Sequence, residues 1–152
     1  MIALLQASVL AISSFGFGAP VLADRADEKV KVEFRRAETK NAEGLVEAKV
    51  EGTRTKVYLH KEADATNKDI ASARVFEDDN KKVLIEVTFT KDGAKKIATL
   101  SGEHKGKPVA VVIDGKVVCA PVLRAPLTDK TQISGSFTKD EAEKIVKGLT
   151  AP

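Results

Sequence analysis

The chain has 152 residues, of which 43% are hydrophobic and 31% are charged. This composition is typical of one ordinary globular domain and excludes a disordered or collagen-like chain. The net charge of +3 comes from 25 basic and 22 acidic residues that are scattered along the sequence. Because they form no basic stripe, we expect no nucleic-acid partner.

Residues 1–23 contain no charged side chain, and the mostly apolar run over residues 2–12 has the length of the hydrophobic region of a signal peptide. We predict a signal peptide over residues 1–23 that is cut between Ala23 and Asp24. The mature chain would then be periplasmic or secreted. The alternative is an uncut segment that anchors the chain to the inner membrane, and we expect a membrane contact only in that case.

Residues 24–54 are predicted to form an N-terminal strand and connector region. Apolar and polar residues alternate over residues 30–35 and again over residues 46–50, as they do in half-buried strands. The second run continues through a turn at residues 51–52 into an alternating run over residues 55–59. This pattern predicts a β-hairpin.

Residues 55–152 are predicted to form an α+β domain. A polar loop over residues 61–69 and a short stretch over residues 70–74, which we leave unassigned, precede a strand over residues 83–89. That strand has one apolar face, so we expect it to be covered on one side only. Residues 108–113 are apolar at every position, which predicts a strand buried on both faces.

Asp114 and Gly115 form a strong short hairpin signal, because a type I′ turn needs a positive φ angle at both central residues. The return strand is predicted over residues 116–120. Within it Cys119 has the same side-chain parity as Val117, which predicts a buried thiol on the same face of the strand.

A last strand is predicted over residues 132–137. Gly135 lies among the residues whose side chains face the core, and a glycine at such a position indicates a bulge or a close approach of the backbone.

The tetrapeptide Phe-Thr-Lys-Asp occurs twice, at residues 89–92 and 137–140, each time between a strand-like and a helix-like run. Thr90 and Thr138 are therefore predicted to be the N-caps of two helices. Glu141 completes a capping box with Thr138, because it lies three residues further on.

The first helix is predicted over residues 91–101, with Gly102 as its C-terminal stop. Gly93 occupies the place that the glutamate has in the second copy, so no side chain can return a hydrogen bond there. The second helix has its apolar residues on one stripe. Together with the one-sided strand, these helices predict an α+β two-layer sandwich, with two helices on one face of a mixed or antiparallel sheet.

The residues that could support chemistry form no recognisable site. His60 and His104 lie in separate polar segments without a metal-ligand spacing, and we predict that both are solvated. The Ser-Gly-Ser sequence at residues 134–136 lacks the pattern of a nucleophile elbow. We therefore predict that the chain is not an enzyme and has no catalytic residue, no metal and no cofactor.

Four segments together resemble the head of the first periplasmic domain of SecD and of fused SecDF, which are membrane subunits of bacterial protein export. The segments are residues 87–90, 92–97, 106–121 and 132–138. The resemblance is specific from about residue 69 to residue 149 and weaker over residues 55–68. It implies an α+β head subdomain that engages emerging polypeptide while a proton-driven membrane part moves it. Because this chain shows no bundle of membrane spans, we expect it not to be the motor itself.

We expect an exported binding module that contacts translocating or unfolded polypeptide, or an envelope or export protein. The contact would use a sheet edge, where strand addition gives sequence-tolerant binding, or the surface near two prolines. That surface consists of Pro121, Val122, Leu123, Arg124, Ala125 and Pro126. One alternative is a structural or self-assembling envelope protein without an export role. The other is a small hydrolase that uses His104.

Overall fold

The computed structural model of the chain describes residues 29–150, so the predicted cleavage site at Ala23 and Asp24 lies outside the described residues. Nine strands and two helices follow one another in this part of the chain. In order they are β1 (Val32–Glu38), β2 (Val46–Lys49), β3 (Lys56–Leu59), β4 (Ala65–Thr66), β5 (Ile70–Glu77), β6 (Val83–Phe89), α1 (Lys91–Glu103), β7 (Val109–Ile113), β8 (Lys116–Cys119), β9 (Lys130–Ser134) and α2 (Lys139–Thr150).

The strands form two sheets. The first has the order β2-β3-β1-β7-β8, with β4 paired to β1, and the second has the order β5-β6-β9. Every pair of named strands is antiparallel. The predicted α+β sandwich is confirmed, and its strands are divided between two sheets.

The main core lies between the two sheets and the helices. Both sheets supply alternate strand residues to it, and each helix adds one apolar stripe, as amphipathic elements must do to leave water. Its buried members are Val32, Phe34, Ala65, Ile85, Val87, Phe89, Ile97, Leu100, Val109, Val111, Ile113, Val118, Leu123, Ile133, Ala142 and Leu149. The prediction of a one-sided strand over residues 83–89 is confirmed by β6.

Strand β7 faces two cores, as its unbroken apolar sequence predicts. Its odd-numbered residues belong to the main core, whereas Ala110 and Val112 belong to a second buried cluster with residues of β1, β3 and β8. The first sheet curls around this second cluster. As a result, Val50 bridges to Val117, and the backbone N–H of Glu51 donates to the carbonyl oxygen of Val117 at 2.8 Å.

Both predicted helix caps are present. The Thr90 hydroxyl accepts a hydrogen bond from the backbone N–H of Gly93 at 3.0 Å. At the second corner, the Thr138 hydroxyl accepts from the backbone N–H of Glu141 at 3.2 Å, and the Glu141 carboxylate accepts from the backbone N–H of Thr138 at 2.8 Å. Of these two corners, only the one at α2 therefore has a closed capping box.

The hairpin between β7 and β8 has the predicted turn, since Asp114 has a φ of 48° and Gly115 a φ of 82°. A bulge in β8 after Val117 shifts by one residue the alternation of side chains between the two faces of the strand. Val112 pairs with Val117, but Val111 pairs with Cys119, so one extra residue lies between the two pairs. The predicted shared face of Val117 and Cys119 is therefore wrong, and Cys119 packs half-buried against the main core.

Several boundaries differ from the predictions, and β4 lies within the predicted polar loop over residues 61–69. The unassigned residues 70–74 belong to the eight-residue strand β5. Helix α1 continues through Gly102, which is therefore not its stop, and ends at Glu103. The last strand ends at Ser134, and the close approach at Gly135 is made by a side chain. A Cβ atom at Gly135 would lie 2.7 Å from Cε2 of Phe137.

Gly93 is required by the packing of α1 against the turn before β5. A Cβ atom at Gly93 would overlap the carbonyl oxygen of Asp69 and would lie 2.9 Å from the Asp69 Cβ atom. The Asp69 side chain is buried, and its carboxylate accepts from Lys96 at 2.7 Å and from the backbone N–H of Thr66 at 2.9 Å. Asp69 is thus held from several sides and cannot move away from a larger residue.

We expect Gly93→Ala to lower the free energy of unfolding by about 2–4 kcal/mol, because the added methyl group must displace backbone atoms. Gly102→Ala is the matched control in the same helix, since a Cβ atom there meets nothing within 4 Å. It should raise the stability by up to about 1 kcal/mol. Urea unfolding followed by circular dichroism measures both. Equal effects of the two substitutions would contradict the proposed contact.

Candidate functional site

Strand β5 is an open sheet edge. It is the first strand of the second sheet, and its outer side pairs with no other strand among residues 29–150. At eight residues it is long for an edge strand, and unpaired main-chain groups along such an edge can pair with another chain. Strand β5 was not predicted from the sequence. The alternation of Ser72, Ala73, Arg74 and Val75 was the available signal, but it is short and carries little apolar surface.

The hydrogen bonds around β5 show which main-chain groups point outward. The backbone N–H of Asp78 donates to the carbonyl oxygen of Lys82, so Asp78 faces β6. In an antiparallel ladder alternate residues bond to the same neighbour. The main-chain groups of Ser72, Arg74 and Phe76 therefore point toward β6. The pairing of these residues with Thr88, Glu86 and Leu84 of β6 agrees with this. It follows that the N–H and C=O groups of the residues between them, 73 and 75, point to the open edge.

A groove of about 690 Å³ runs between this edge and α2. Its apolar floor consists of Ala73, Val75 and Val146, which are half-buried against the main core. Its remaining lining is charged. Strand β5 contributes Arg74, and helix α2 contributes Asp140, Glu143, Lys144 and Lys147. The main-chain edge and the groove therefore form one continuous surface.

The predicted surface at residues 121–126 lies beside the start of β7, and all of its residues except Leu123 are exposed. Val122 is 48% exposed, whereas Leu123 is buried in the main core. The carbonyl oxygen of Pro121 accepts from Val109, and both main-chain groups of Leu123 bond to residues 106 and 107. Because these groups are already used, only short stretches of main chain are left for a partner, and the segment offers mainly side chains.

The two histidines lie together, with ring centroids 6.1 Å apart. His104 is 6% exposed, and its Nε2 lies 2.9 Å from the carbonyl oxygen of Ala37, so the prediction that it is solvated is wrong. Because a carbonyl only accepts, that Nε2 carries the proton. His60 is half-buried and lies 3.3 Å from the Glu38 carboxylate, which also bonds Lys107. Burial acts to raise the pKa of Glu38, but the hydrogen bonds from Lys107 and His60 outweigh it and hold that pKa below its usual value.

Within residues 29–150 no three His, Cys, Asp or Glu side chains are grouped so that they could hold a metal ion. Over the same residues neither helix has the length and hydropathy needed to cross a membrane.

Comparison with known proteins places this fold in a family. The family model of the SecDF P1 head subdomain matches residues 26–151. The match covers all of the described residues, and it starts well before residue 55, where the resemblance in sequence motifs begins.

Relatives with similar sequences are subunits of protein translocases. The chain is 37% identical over 95 residues to the protein translocase subunit SecD of Elusimicrobium minutum, covering 62% of this chain and 20% of that one. It is 37% identical over 81 residues to the subunit SecDF of Thermus thermophilus, covering 53% of this chain and 11% of that one. The chain thus spans about a fifth or less of the length of these relatives.

Solved structures agree with this relationship. A crystal structure of SecDF in a super-membrane-facing form matches with a TM-score of 0.65 and 26% identity, over 80% of this chain and 18% of that one. A structure of SecDF, described as a membrane component that enhances protein export, matches with a TM-score of 0.64 and 25% identity, over 80% of this chain and 62% of that one.

Two antiparallel sheets with two helices, matched over four-fifths of the chain, define an α+β head subdomain of the type found in these translocase subunits. The chain belongs to the SecDF P1 head subdomain family.

The Cys119 thiol should react slowly in the folded chain. Burial raises its pKa from the ordinary 9.0 to about 11, so at about pH 8 the reactive thiolate is about 100-fold scarcer than in the unfolded chain. We expect Ellman's reagent to react about 100-fold more slowly with the folded chain than with the chain in concentrated guanidinium chloride. Glutathione under both conditions is the control for the reagent. Equal rates would contradict the position of Cys119 against the core.

Proposed function

We propose that the chain is a non-enzymatic binding module on the periplasmic side of bacterial protein export, and that it contacts unfolded or translocating polypeptide. Membership of the SecDF P1 head subdomain family supports the export role. The observation that carries the polypeptide contact is the outer edge of β5, which has no strand partner among the described residues. Such an edge binds extended chains through main-chain hydrogen bonds, which every sequence offers.

The location belongs to the same proposal. A signal peptide over residues 1–23, cut between Ala23 and Asp24, would release the chain into the periplasm. The alternative is that residues 1–23 stay attached and hold the chain at the inner membrane. In both cases the head faces the compartment into which exported polypeptide emerges.

The surface at residues 121–126 is proposed as a second, side-chain contact. The main-chain groups of Pro121 and Leu123 are engaged with residues 106–109, so specificity there would come from the exposed side chain of Val122 and from the neighbouring Arg124 and Pro126. An envelope or export protein suits this kind of surface better than an unfolded chain, because side-chain contacts select a shape.

The other two hypotheses are supported less well. His104 does not favour a hydrolase, since its Nε2 proton is committed to the carbonyl oxygen of Ala37 and the ring is buried. A self-assembling envelope protein without an export role is favoured by one observation, which is that an open edge can also pair with a second copy of the same chain. Light scattering over a range of concentrations separates this alternative from client binding.

The proposal is tested with a small disulfide-bonded protein that is fluorescently labelled and is kept unfolded by reduction and carboxymethylation of its cysteines. The purified chain is titrated into it, and binding is followed by the fluorescence anisotropy. We expect saturable binding at micromolar concentration, and no binding of the same labelled protein in its native, disulfide-bonded form. Absence of binding to the unfolded form up to high micromolar concentration would overturn the proposal.

The surface at residues 121–126 is tested by incubating the purified chain with an extract of envelope proteins, cross-linking, and measuring the amount of captured partner. Val122→Asp should reduce capture of a partner about fourfold or more. The valine side chain is about half exposed, and burying that half on binding contributes about 0.8 kcal/mol, which the aspartate variant loses. Val46→Asp is the matched control, since Val46 is 50% exposed on β2, at the other side of the first sheet. Equal losses for both variants would exclude a specific role for Val122.

A further inference from the structure

We infer that the groove between β5 and α2 is a strand-addition site for an extended peptide segment of defined chemistry. The segment has small apolar side chains at alternate positions and an acidic residue at the end that lies beside Lys144 and Lys147. This inference rests on the proposed function and assigns it to one site and one class of ligand.

The main chain of β5 supplies the first half of the site. Ala73 and Val75 direct their N–H and C=O groups away from β6, since the intervening residues form the ladder with that strand. A strand laid against this edge would therefore make four main-chain hydrogen bonds to these two residues. The bulge between Ile70 and Ser72 interrupts the ladder at one end, so the usable edge begins at Ala73.

The side chains of the groove select the apolar residues of the ligand. Ala73 and Val75 pair with Val87 and Ile85, and these four side chains lie on the face of the sheet that packs against the main core. Ligand residues opposite Ala73 and Val75 point to the same face and meet Val146 across the groove, because cross-strand neighbours share a face. Intervening ligand residues point to the opposite face, where Arg74 binds Glu86 at 2.7 Å, and can be polar.

The charges of α2 give the groove a direction. The Nζ atom of Lys139 lies 4.0 Å from the carboxylate of Glu77, so α2 begins beside the end of β5. From Glu77 back to Ala73 the strand spans about 13 Å, and from Lys139 to Lys147 the helix spans about 12 Å. Lys147 and Ala73 both line the groove, which agrees with this arrangement.

The acidic residues of the groove lie at its other end. Asp140 and Glu143 precede Lys144 and Lys147 along α2, so the end near Glu77 is negative and the end near Ala73 is positive. An acidic ligand residue is therefore attracted at the Ala73 end and repelled at the Glu77 end. This difference fixes the direction in which the segment lies.

The edge of the other sheet does not offer an equivalent site. Strand β2 has only four residues, and its outward-facing positions Glu47 and Lys49 are charged, which is how natural sheets protect short edges. The residue after β2, Val50, already bridges to Val117 of β8. An added strand would compete there with a contact that the fold itself makes.

The direct probe is a fluorescein-labelled eight-residue peptide in which valine alternates with threonine and one end, the end expected beside Lys144 and Lys147, carries glutamate. Its partner probe has the same sequence with methyl groups on the alternate backbone nitrogens that would donate to the edge. The full chain should bind the first peptide about tenfold or more tightly than the second, because methylation removes main-chain donors and no side chain.

On the protein, Ala73→Pro should weaken binding of the unmethylated peptide about tenfold. Proline removes the outward N–H of residue 73, and edge strands tolerate it where the N–H does not serve the ladder. Lys49→Pro is the matched control. The backbone N–H of Val50 donates to the carbonyl oxygen of Thr55, the residue before β3, so the N–H of residue 49 points away from β3.

A second variant does not depend on proline being tolerated. This variant carries the double substitution Lys144→Glu and Lys147→Glu. Both lysines are exposed on α2, so the fold should be kept. This variant should bind the glutamate-ended peptide about tenfold more weakly than the original chain does, and a lysine-ended peptide no more weakly.

Each outcome decides between the site and the function. If unfolded protein binds but the methylated and unmethylated peptides bind equally, the strand-addition site is wrong and the proposed function stands. If unfolded protein does not bind at all, the proposed function fails as well. If the original chain is a dimer and Ala73→Pro makes it a monomer, the edge is occupied by a second copy, and the inference is overturned.

Discussion

The burial of β7 on both faces is the constraint on which the rest of the structure depends. All five residues of this strand are buried, and its two sets of side chains belong to two different clusters. A strand of this kind needs cover on both sides, since apolar surface left in water is unfavourable by about 25 cal/mol per Å². The second sheet and the helices cover the side of β7 that carries Val109, Val111 and Ile113. The first sheet curls over the other.

This arrangement explains why the two sheets differ at their edges. The first sheet must curl to close the second cluster, and in doing so it brings Val50 after β2 against Val117 in β8. The second sheet is covered on one face only and has no cluster to enclose. Its edge strand β5 can therefore leave its outer side unpaired, with α2 beside it, and this geometry suits the binding of an extended chain.

Much of this fold follows from local sequence patterns. Alternation predicted the β2–β3 hairpin and the one-sided strand β6, an unbroken apolar run predicted β7, and Asp114 with Gly115 predicted the turn. Each of these signals is contained within a few neighbouring residues. The corners at Thr90 and Thr138 are also local, since a cap needs only the first turn of its helix.

What could not be predicted depends on contacts between distant residues. His104 is buried because its ring reaches Ala37, which is 67 residues away in the sequence. The bulge that turns Cys119 toward the main core has no signature in a run of valines. The candidate site was missed for a related reason, because β5 carries few large apolar residues and takes its cover from α2, which follows it by some 60 residues along the chain.

The central claim is that β5 has outward-facing main-chain groups that accept an extended polypeptide, and amide hydrogen exchange at single residues tests it most directly. In the free chain the amides of Ser72 and Arg74 should exchange slowly and those of Ala73 and Val75 quickly, although all four lie in one strand. A saturating unfolded polypeptide should then slow Ala73 and Val75 alone. Equal protection of all four amides in the free chain, or no change at Ala73 and Val75 on addition of polypeptide, would contradict the account.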